Sequence, residues 1–548
     1  MDDVMPFSIK RKRDLLIKKK KRKTDDVMPL NRCSKRQKNL FKCGIDNLPD
    51  ELLIAILSCL TFQEAARTCI LSQRWRYLWK YTTCSIQFYN EGTLEFEAAE
   101  KFINSVNEGL KLHQGESIEQ FKVGFVYPSI SYRPNKDTEF AIERQSKVNH
   151  DIDGWINFAM EKQVKVFELN MAAGPLDSTG LWRNYSIPHV QKLLSISGEV
   201  KLLKTLTTLK SFRFVNIRIT QEVVEFLLSH CPLLEQVYIS ASKSLKRLKV
   251  AGSLTKLRSM EISNCDSLKT MKVHAPGLVS FTYIGRDIKV PFKKVPLLSE
   301  LTIGGDYAGS FIFDAHKHSS YCRNLKKLKL KVSRKVVADI SPIGELPSEH
   351  PQLYNLKELE LDITIEEDDG LCFFTFLTKC SPQLSRLTIK LLFLPGPERC
   401  IDEYTEWNLL IKEVTKQRLM FSELSGCDRP LGSISPLREV QPGVIEALRQ
   451  YLTEARAADR NAQEATKFCH KRLEVVKLVG FIGCSSDCNL ALHLLRIARS
   501  LTKMIIDTEG HPKCASLMNK KAIRVCVEQL KANLPPGAEL STHGPGFT

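Results

Sequence analysis

From about Val164 onward, apolar residues recur in groups of three with the spacing L-x-x-L-x-L. The last two members of each group are two residues apart, so they lie on one face of a β-strand, and the first member precedes that strand at a turn. The groups are Val164, Phe167, Leu169; Leu209, Phe212, Phe214; Leu234, Val237, Ile239; Leu245, Leu248, Val250; Leu257, Met260, Ile262; Leu268, Met271, Val273; Leu278, Phe281, Tyr283; Leu298, Leu301, Ile303; Leu325, Leu328, Leu330; Leu356, Leu359, Leu361; and Leu384, Leu387, Ile389. The pattern predicts many short strands, each with one buried face.

Each such unit is too small to bury its own apolar face, so neighbouring units must stack on one another. This is the logic of leucine-rich repeats, whose units usually span roughly 20–29 residues. Between Leu234 and Leu298 the groups come about twice as often, which predicts two strands per coil, with convex strands in place of helices. A convex helix is expected at Gln221–His230, before Pro232. We therefore predict an α/β fold with a leucine-rich-repeat solenoid, in which residues 85–163 form a connecting segment at the start of the solenoid and residues 164–394 form the leucine-rich-repeat region.

The repeat pattern stops at Pro395-Gly396-Pro397, and we predict an insertion over residues 395–470. Within it, Pro442 to Ala458 has the periodicity of an amphipathic helix. The apolar group returns as Leu473, Val476, Leu478, and a strand, a helix, a strand and a final helix are expected over residues 471–533. The last residues, 534–548, are predicted to form a loose tail.

A different pattern, typical of short helices, runs from Ile45 to Trp79. In the first helix, apolar residues recur at steps of three and four from Leu52 to Leu60. Thr61 and Glu64 form a capping-box sequence for a second helix, and Ser72 is placed to cap a third. Three helices in so few residues make a thin core, so their remaining apolar faces need a partner or the rest of the chain.

The residues of this segment resemble the F-box motif, most closely that of plant F-box proteins. The resemblance is carried by Leu48-Pro49-Asp50-Glu51, Ile56-Leu57-Ser58, Glu64-Ala65-Ala66-Arg67-Thr68 and Leu71-Ser72-Gln73-Arg74-Trp75-Arg76-Tyr77-Leu78-Trp79. In that family the motif docks on the Skp-type adaptor of a cullin–RING ubiquitin ligase. The resemblance implies adaptor contacts from Leu48, Pro49, Leu52, Ile56, Leu57, Leu60, Leu71 and Trp75. We assign residues 44–84 to this small three-helix F-box.

The C-terminal segment resembles that of plant F-box/FBD/LRR-repeat proteins. The resemblance rests on Leu473, on Gly480-Phe481-Ile482-Gly483, on the helix that follows, and on Met504-Ile505-Ile506. Arg472 stands where that family has His. The chain is accordingly identified as a suspected member of the F-box/FBD/LRR-repeat family, with an FBD-like unit at residues 471–533.

The net charge of +18 is concentrated near the N-terminus, because residues 1–42 hold 15 Lys and Arg against 5 Asp. Such like-charge density predicts a disordered basic tail over residues 1–43. Clustered basic residues of this kind are read by importin-type receptors, so we predict a nuclear-import signal and a nuclear protein, with a cytoplasmic pool as a second location. Its residues are Lys10, Arg11, Lys12, Arg13, Lys18, Lys19, Lys20, Lys21, Arg22 and Lys23. A phosphate-binding arm and a solvated tail without a partner are the alternatives.

The sequence offers little for catalysis, cofactors or metals. It contains no G-x-x-x-x-G-K-[ST], H-E-x-x-H or G-x-S-x-G motif. His316, His318 and Cys322 form one cluster short of the four ligands of a zinc site, and Cys484, Cys488 and His493 form another. The 17 cysteines are scattered, which favours a reducing compartment. No stretch approaches the ~20 apolar residues of a membrane span. We predict no enzyme, metal, cofactor or membrane association.

Two functions remain open from the sequence. In the first, the chain is the substrate-recognition adaptor of an SCF-type ubiquitin ligase: the F-box binds the Skp-type adaptor, and the repeats bind an unknown protein. In the second, it is a nuclear scaffold for nucleic acid or protein that acts outside a ubiquitin ligase. The repeat positions are apolar and most surplus charge lies outside them, which disfavours nucleic acid. A small ligand inside the solenoid is a third reading that no residue identifies.

Overall fold

The computed structural model describes residues 45–83, 85–90, 96–125, 138–171, 185–187, 189–251, 254–290, 292, 295–313, 319–333, 353–365, 371–393, 469–510 and 518–547. Contacts divide the chain into two compact units, Met1–Ile56 and Leu57–Thr548. The predicted basic tail and import signal lie outside the described residues. So does the predicted insertion with its amphipathic helix, except for Cys469 and His470. Those predictions stay predictions.

The described part of the first unit contains a 3-10 turn at Ile45–Asn47 and most of helix α1 (Asp50–Leu57), whose last residue begins the second unit. Asp50 and Glu51 occupy the first turn of α1, where negative charge interacts favourably with the exposed amide groups of a helix N-terminus. The predicted start of this helix after Pro49 is confirmed.

The second unit opens with helix α2 (Phe62–Arg67), a 3-10 turn at Thr68–Ile70, the short helix α3 (Trp75–Leu78) and a 3-10 turn at Trp79–Tyr81. The predicted capping box is confirmed: the Glu64 amide donates to Thr61 Oγ1 at 3.3 Å, and the Thr61 amide donates to Glu64 Oε2 at 3.0 Å. The Thr61 amide and the Thr61 hydroxyl both donate to the Glu64 carboxylate, and these two hydrogen bonds lower the pKa of Glu64. The Ser72 hydroxyl accepts the Trp75 amide at 3.5 Å.

The strands that follow supply most of the second unit. In chain order they are β1 (Ser85–Asn90), β2 (Gln120–Phe125), β3 (Val166–Asn170), β4 (Ser186–Ile187), β5 (Ser211–Val215), β6 (Arg218–Ile219), β7 (Gln236–Ser240), β8 (Arg247–Val250), β9 (Ser259–Ser263), β10 (Thr270–Val273), β11 (Ser280–Ile284), β12 (Glu300–Gly304), β13 (Lys327–Val332), β14 (Glu358–Ile365), β15 (Arg386–Phe393), β16 (Val475–Val479), β17 (Lys503–Asp507) and β18 (Glu539–His543). Within the described residues, all but β4, β6, β8 and β10 form one open parallel sheet of 14 strands, ordered as in the chain. The predicted repeat architecture is confirmed.

The register of this sheet aligns the predicted apolar groups from strand to strand. Phe212 of β5 pairs with Phe167 of β3 and with Val237 of β7, and Val237 pairs with Met260 of β9. All four side chains are buried. Most alternate residues are half-buried or exposed, except at the ends of strands such as β7 and β9, so each strand has one face in the core and one outward face, as the period of two requires.

The closely spaced groups between Leu234 and Leu298 do form two strands per coil. Strands β7, β9 and β11 belong to the main sheet, whereas β8 and β10 pair with each other in a separate two-stranded sheet. Leu248 pairs with Met271 in that second sheet, and both side chains are buried. The predicted replacement of helices by convex strands is therefore confirmed.

Helices connect most of the other strands. They are α4 (Phe96–Leu112), α5 (Thr138–Glu161), α6 (Val190–Ser197), α7 (Glu199–Leu206), α8 (Gln221–His230), α9 (Asp306–Phe313), α10 (Ser319–Cys322), α11 (Phe376–Lys379), α12 (Ser485–Ile497) and α13 (Lys520–Ala532), with a 3-10 turn at Leu371–Thr375. Helix α8 has the predicted bounds. None of the helices in the described ranges is both long and apolar enough to cross a bilayer.

One boundary prediction needs correction. Residues 85–163, predicted to lie at the start of the solenoid, contribute β1 and β2 to the first edge of the main sheet. The tail predicted to be loose contains β18, which pairs in parallel with β17. The side chains of β18 do not show the apolar alternation of a buried strand. The strand is held to the sheet edge mainly by backbone hydrogen bonds, such as Glu539 N to Thr502 O at 2.8 Å. Backbone hydrogen bonds do not depend on side-chain hydrophobicity, so the sequence does not reveal them.

Candidate functional site

The first unit presents apolar side chains on helix α1. Leu52 and Ile56 lie one turn apart, and 51% and 40% of their surfaces are exposed. Leu53, between them in sequence, is fully buried. Pro49 is also exposed, whereas Leu48 is half-buried. Neighbouring exposed aliphatic side chains on one helix are typical of a protein-interaction surface.

The first residues of the second unit carry another set of predicted contact residues. Leu60 and Leu71 are exposed, Leu71 over 63% of its surface. Leu57 and Trp75 are buried, with 0% and 3% exposed. In the unbound chain both side chains therefore support the local core, and their predicted contact with the adaptor stays a prediction. Sequence reasoning missed Ile70, which is 79% exposed beside Leu71; the one signal was its own apolar character at the end of a helical stretch.

Helix α2 is fixed to the repeat sheet through aromatic packing. The ring of Phe62 contacts Trp79 edge to face, with centroids 5.4 Å apart, and it contacts Phe88 of β1 in the same way at 6.3 Å. Gly109 of α4 makes room for this cluster, because a Cβ atom there would lie 2.8 Å from Cζ of Phe88. The helices after Leu57 thus share one core with the first strand of the sheet.

Hydrogen bonds reinforce the same junction. The Thr83 amide donates to Ser58 Oγ at 3.0 Å, and the Gln114 amide donates to Lys80 O at 2.8 Å. His113 Nε2 donates to Thr82 O at 2.8 Å. Burial lowers the pKa of His113, so this imidazole is neutral at pH 7 and its Nε2 carries the proton. The junction is a packed, hydrogen-bonded connection.

On the outward face of the sheet, charged side chains of neighbouring strands pair with each other. Lys329 Nζ on β13 lies 2.8 Å from Glu360 Oε1 and 2.9 Å from Asp362 Oδ2, both on β14. Lys390 Nζ on β15 lies 2.5 Å from the same Glu360 oxygen. Lys327 on β13 pairs with Glu358 on β14 at 3.0 Å. These basic groups are neutralised within the sheet, which disfavours phosphate binding on this part of the face.

The described residues bring no metal site together. Across the described ranges, no three His, Cys, Asp or Glu side chains are grouped so that they could hold an ion. His493 instead lies 3.2 Å from the Thr375 hydroxyl, and a hydrogen bond with Cys526, together with burial, raises the pKa of Cys488. Burial also raises the pKa of Cys322 to about 12, so its thiol stays protonated and binds metal poorly. His316 and His318 lie outside the described residues.

Comparisons with known proteins agree with both parts of the chain. The family model for the F-box domain matches residues 45–84. The model described as "At1g61320/AtMIF1, LRR domain" matches residues 136–394. The first range contains the short helices and the second contains strands β3 to β15. The FBD-like segment lies beyond both matches.

Relatives in Arabidopsis thaliana carry the F-box in their names, and two of the following three also carry the leucine-rich repeat. F-box/LRR-repeat protein At3g03360 is 25% identical over 66% of this chain and 74% of its own length. Putative FBD-associated F-box protein At3g50710 is 25% identical over 63% of this chain and 76% of its own, and F-box/FBD/LRR-repeat protein At1g13570 is 25% identical over 63% and 75%. The chain therefore contains an F-box domain at residues 45–84 followed by a leucine-rich-repeat domain at residues 136–394, and F-box/LRR-repeat and FBD-associated F-box proteins are among its homologues.

Proposed function

We propose that this chain is the substrate-recognition adaptor of an SCF-type ubiquitin ligase. The F-box match carries the proposal, because an F-box implies a Skp-type adaptor and, through it, a cullin–RING ligase. In this proposal Leu48, Pro49, Leu52, Ile56, Leu60 and Leu71 contact the adaptor. The exposed aliphatic surfaces of Leu52, Ile56 and Leu71 support these assignments, since burying them against a partner removes apolar area from water.

In this role the chain contributes no catalytic group. It raises the local concentration of a bound protein at the transferring enzyme, and effective concentrations in the millimolar range follow from short tethers. A rigid connection between the F-box and the repeat sheet suits such a task, because it limits the positions that the bound protein can take. The aromatic cluster around Phe62 supplies a connection of this kind within the second unit.

The proposal is tested by a pull-down of the purified full-length chain with a Skp-type adaptor. Wild type should bind, and a Leu48→Ala/Pro49→Ala double variant should lose most of that binding. Val525→Ala is the matched control, because Val525 is an exposed aliphatic residue on α13, 60% exposed and far along the chain from the F-box. Failure of the wild type to bind, or equal binding by the double variant, would contradict the proposal.

We further propose a nuclear location, conferred by the basic clusters Lys10–Arg13 and Lys18–Lys23 through an importin-type receptor. A fluorescent fusion of the full chain should accumulate in nuclei, and replacement of the ten basic residues by Gln should shift it to the cytoplasm. Replacement of the basic residues Arg32, Lys35, Arg36 and Lys38, which lie outside these clusters, is the control. If the variant with all ten basic residues replaced is as nuclear as wild type, the proposed import signal is wrong.

A further inference from the structure

A strip of polar and aromatic side chains crosses the outward face of the sheet near its first edge. Parallel register places Glu168 (β3), Arg213 (β5), Tyr238 (β7) and Glu261 (β9) side by side in one row. With neighbouring strands about 4.8 Å apart, the row from Glu168 to Glu261 spans about 14 Å. We call these four residues, together with Tyr89 on β1, the Tyr89–Glu261 strip.

The strip is held in place by direct contacts between its members. Arg213 Nε lies 3.5 Å from Glu168 Oε1, and the guanidinium carbon of Arg213 lies 3.4 Å from the centre of the Tyr238 ring. The Tyr89 hydroxyl interacts with the Glu168 carboxylate, and Tyr238 interacts with Glu261. Arg213 is therefore oriented by Glu168 and Tyr238 before any partner binds, which reduces the entropy lost on binding.

Tyr89 reaches Glu168 only because Gly124 lies between them on β2. A Cβ atom on Gly124 would lie 2.6 Å from Cδ1 of Tyr89, so the ring lies directly over the backbone of that strand. The ring remains 46% exposed. Burial, with the nearby carboxylate of Glu168 second, raises the pKa of Tyr89 to about 12, so its hydroxyl keeps its proton and remains a donor.

Glu261, at the end of the strip, forms no direct ion pair with any of the described residues. No Lys, Arg or His nitrogen of the described residues lies within 4.0 Å of its carboxylate, because Arg213 is directed to Glu168 and Tyr238. Burial is the largest influence on this group and raises the pKa of Glu261, although Arg213 and Lys331 act against it from farther away. A half-buried carboxylate gains most from a hydrogen-bonded cation placed directly against it.

Resting on the proposed function, we propose that the Tyr89–Glu261 strip is where the repeats hold their protein target, and that the target places a lysine or arginine side chain against Glu261. Tyrosine and arginine are the residue types that dominate the energetics of protein interfaces, and the strip supplies two tyrosines and one arginine.

The surroundings of Glu261 favour this occupant over an acidic one. On both sides of the row the positions of β7, β9 and β11 that alternate with the core residues are uncharged: Gln236, Ser259, Ser280 and Ile284 are half-buried or exposed, and Ser240 and Ser263 are buried. Thr282 of β11 follows Glu261 in the row itself. A cation at Glu261 therefore meets a carboxylate whose neighbours on β7, β9 and β11 are uncharged. Arg213, two strands away, is already paired with Glu168, and two of the three lysines of β13 are paired with acids of β14.

The test is a selection of random displayed 12-residue peptides on the full-length chain, performed both alone and bound to the adaptor. Selected peptides should share a Lys or Arg. Changing that residue to Gln should weaken binding at least tenfold, and Glu261→Gln in the protein should do the same. The Glu261→Lys variant should not bind the selected basic peptides. The same variant should bind peptides in which the basic residue is replaced by Glu, because the charges are then exchanged between the two partners. Lys477→Gln, on the outward face of β16, is the control and should leave binding unchanged.

Several results would overturn the proposal: no peptide selected by the folded wild-type chain, selected peptides without a shared basic residue, or binding that is insensitive to Glu261→Gln. Melting temperatures of the variants establish that they are folded. Adaptor binding is measured on the same samples, so the two proposals can fail separately. If the chain selects basic peptides but does not bind the adaptor, only the proposed ligase function is refuted. If it binds the adaptor but selects no basic peptides, only the proposed target-binding role of the Tyr89–Glu261 strip is refuted.

Discussion

Phe62, in helix α2 of the F-box, contacts Phe88 of strand β1 edge to face, with ring centroids 6.3 Å apart. Phe62 is 5% exposed and Phe88 9%, so the pair is part of the core that joins the F-box helices after Leu57 to the repeat sheet. Deleting this ring should therefore affect the connection between two functional parts of the chain as well as stability.

We expect Phe62→Ala to lower the free energy of unfolding by about 3–5 kcal/mol, the usual cost of removing a buried aromatic ring. Chemical denaturation of the full chain measures it. Phe62→Leu keeps part of the volume and should cost less. Limited proteolysis should show new cleavage between residues 57 and 90 in the alanine variant, and an unchanged pattern there would argue against a shared core.

Variants of Leu71 and Trp75 should distinguish a residue that contacts the adaptor from one that stabilises the F-box core. Leu71→Arg changes an exposed side chain, so stability should stay within about 0.5 kcal/mol of wild type while adaptor binding falls at least tenfold. Trp75→Ala removes a buried ring and should cost about 3–5 kcal/mol. Thermal melting and adaptor titration of both variants check this. Loss of stability in Leu71→Arg, or none in Trp75→Ala, would reverse the two assignments.

Gly480 should tolerate no side chain. Its φ of +79° lies in the left-handed region, and a Cβ atom would lie 2.2 Å from the carbonyl oxygen of Leu391 on β15. Gly537 is the matched control, with φ of +84° and no atom within 4 Å of a Cβ. We expect Gly537→Ala to cost about 1–2 kcal/mol from the backbone conformation alone and Gly480→Ala clearly more. If both variants lose the same free energy of unfolding, measured by denaturation, the backbone of β15 must move to accommodate the new side chain.

Asp487 should make stability depend on pH. Its buried carboxylate accepts the amides of Ile482 and Gly483 at 2.8 and 3.0 Å, yet burial, the largest influence, raises its pKa to about 6. The folded protein thus binds this proton more tightly than the unfolded chain. The stabilisation is full at acid pH and is lost as pH rises through about 6, by at most about 3 kcal/mol.

Asp487→Asn removes the ionisable group, so the melting temperature of this variant relative to wild type should increase between pH 5 and pH 8. Glu528→Gln, which replaces an exposed carboxylate on α13, is the control for nonspecific charge effects. A difference in melting temperature between the Asp487→Asn variant and wild type that is the same at both pH values would contradict the raised pKa.

The sequence predicted those elements whose information is local. The capping box at Thr61 and Glu64 follows from two residues three positions apart, and helix Gln221–His230 follows from its apolar spacing and the proline after it. Strand β18 could not be found in this way, because its backbone pairs with β17 while its side chains, Glu539 to His543, are mostly polar.

The candidate sites divide in the same manner. The F-box residues were identified from their motif, but the motif did not distinguish exposed Leu71 from buried Trp75, since both are large and apolar. The Tyr89–Glu261 strip was missed entirely. Its five members come from strands separated by tens of residues, and no spacing in the chain relates Tyr89 to Glu168 or Arg213 to Tyr238.

By itself, the sequence determined the alternation of buried and outward residues, because a period of two on each strand fixes which side chains enter the core. It likewise determined that successive strands stack in chain order, because no single repeat can bury its own apolar face. Only the tertiary structure decided which outward residues are neighbours. Parallel register places Glu261 beside Tyr238 and directs Arg213 elsewhere, and the interactions of these polar side chains depend on distance in space rather than along the chain.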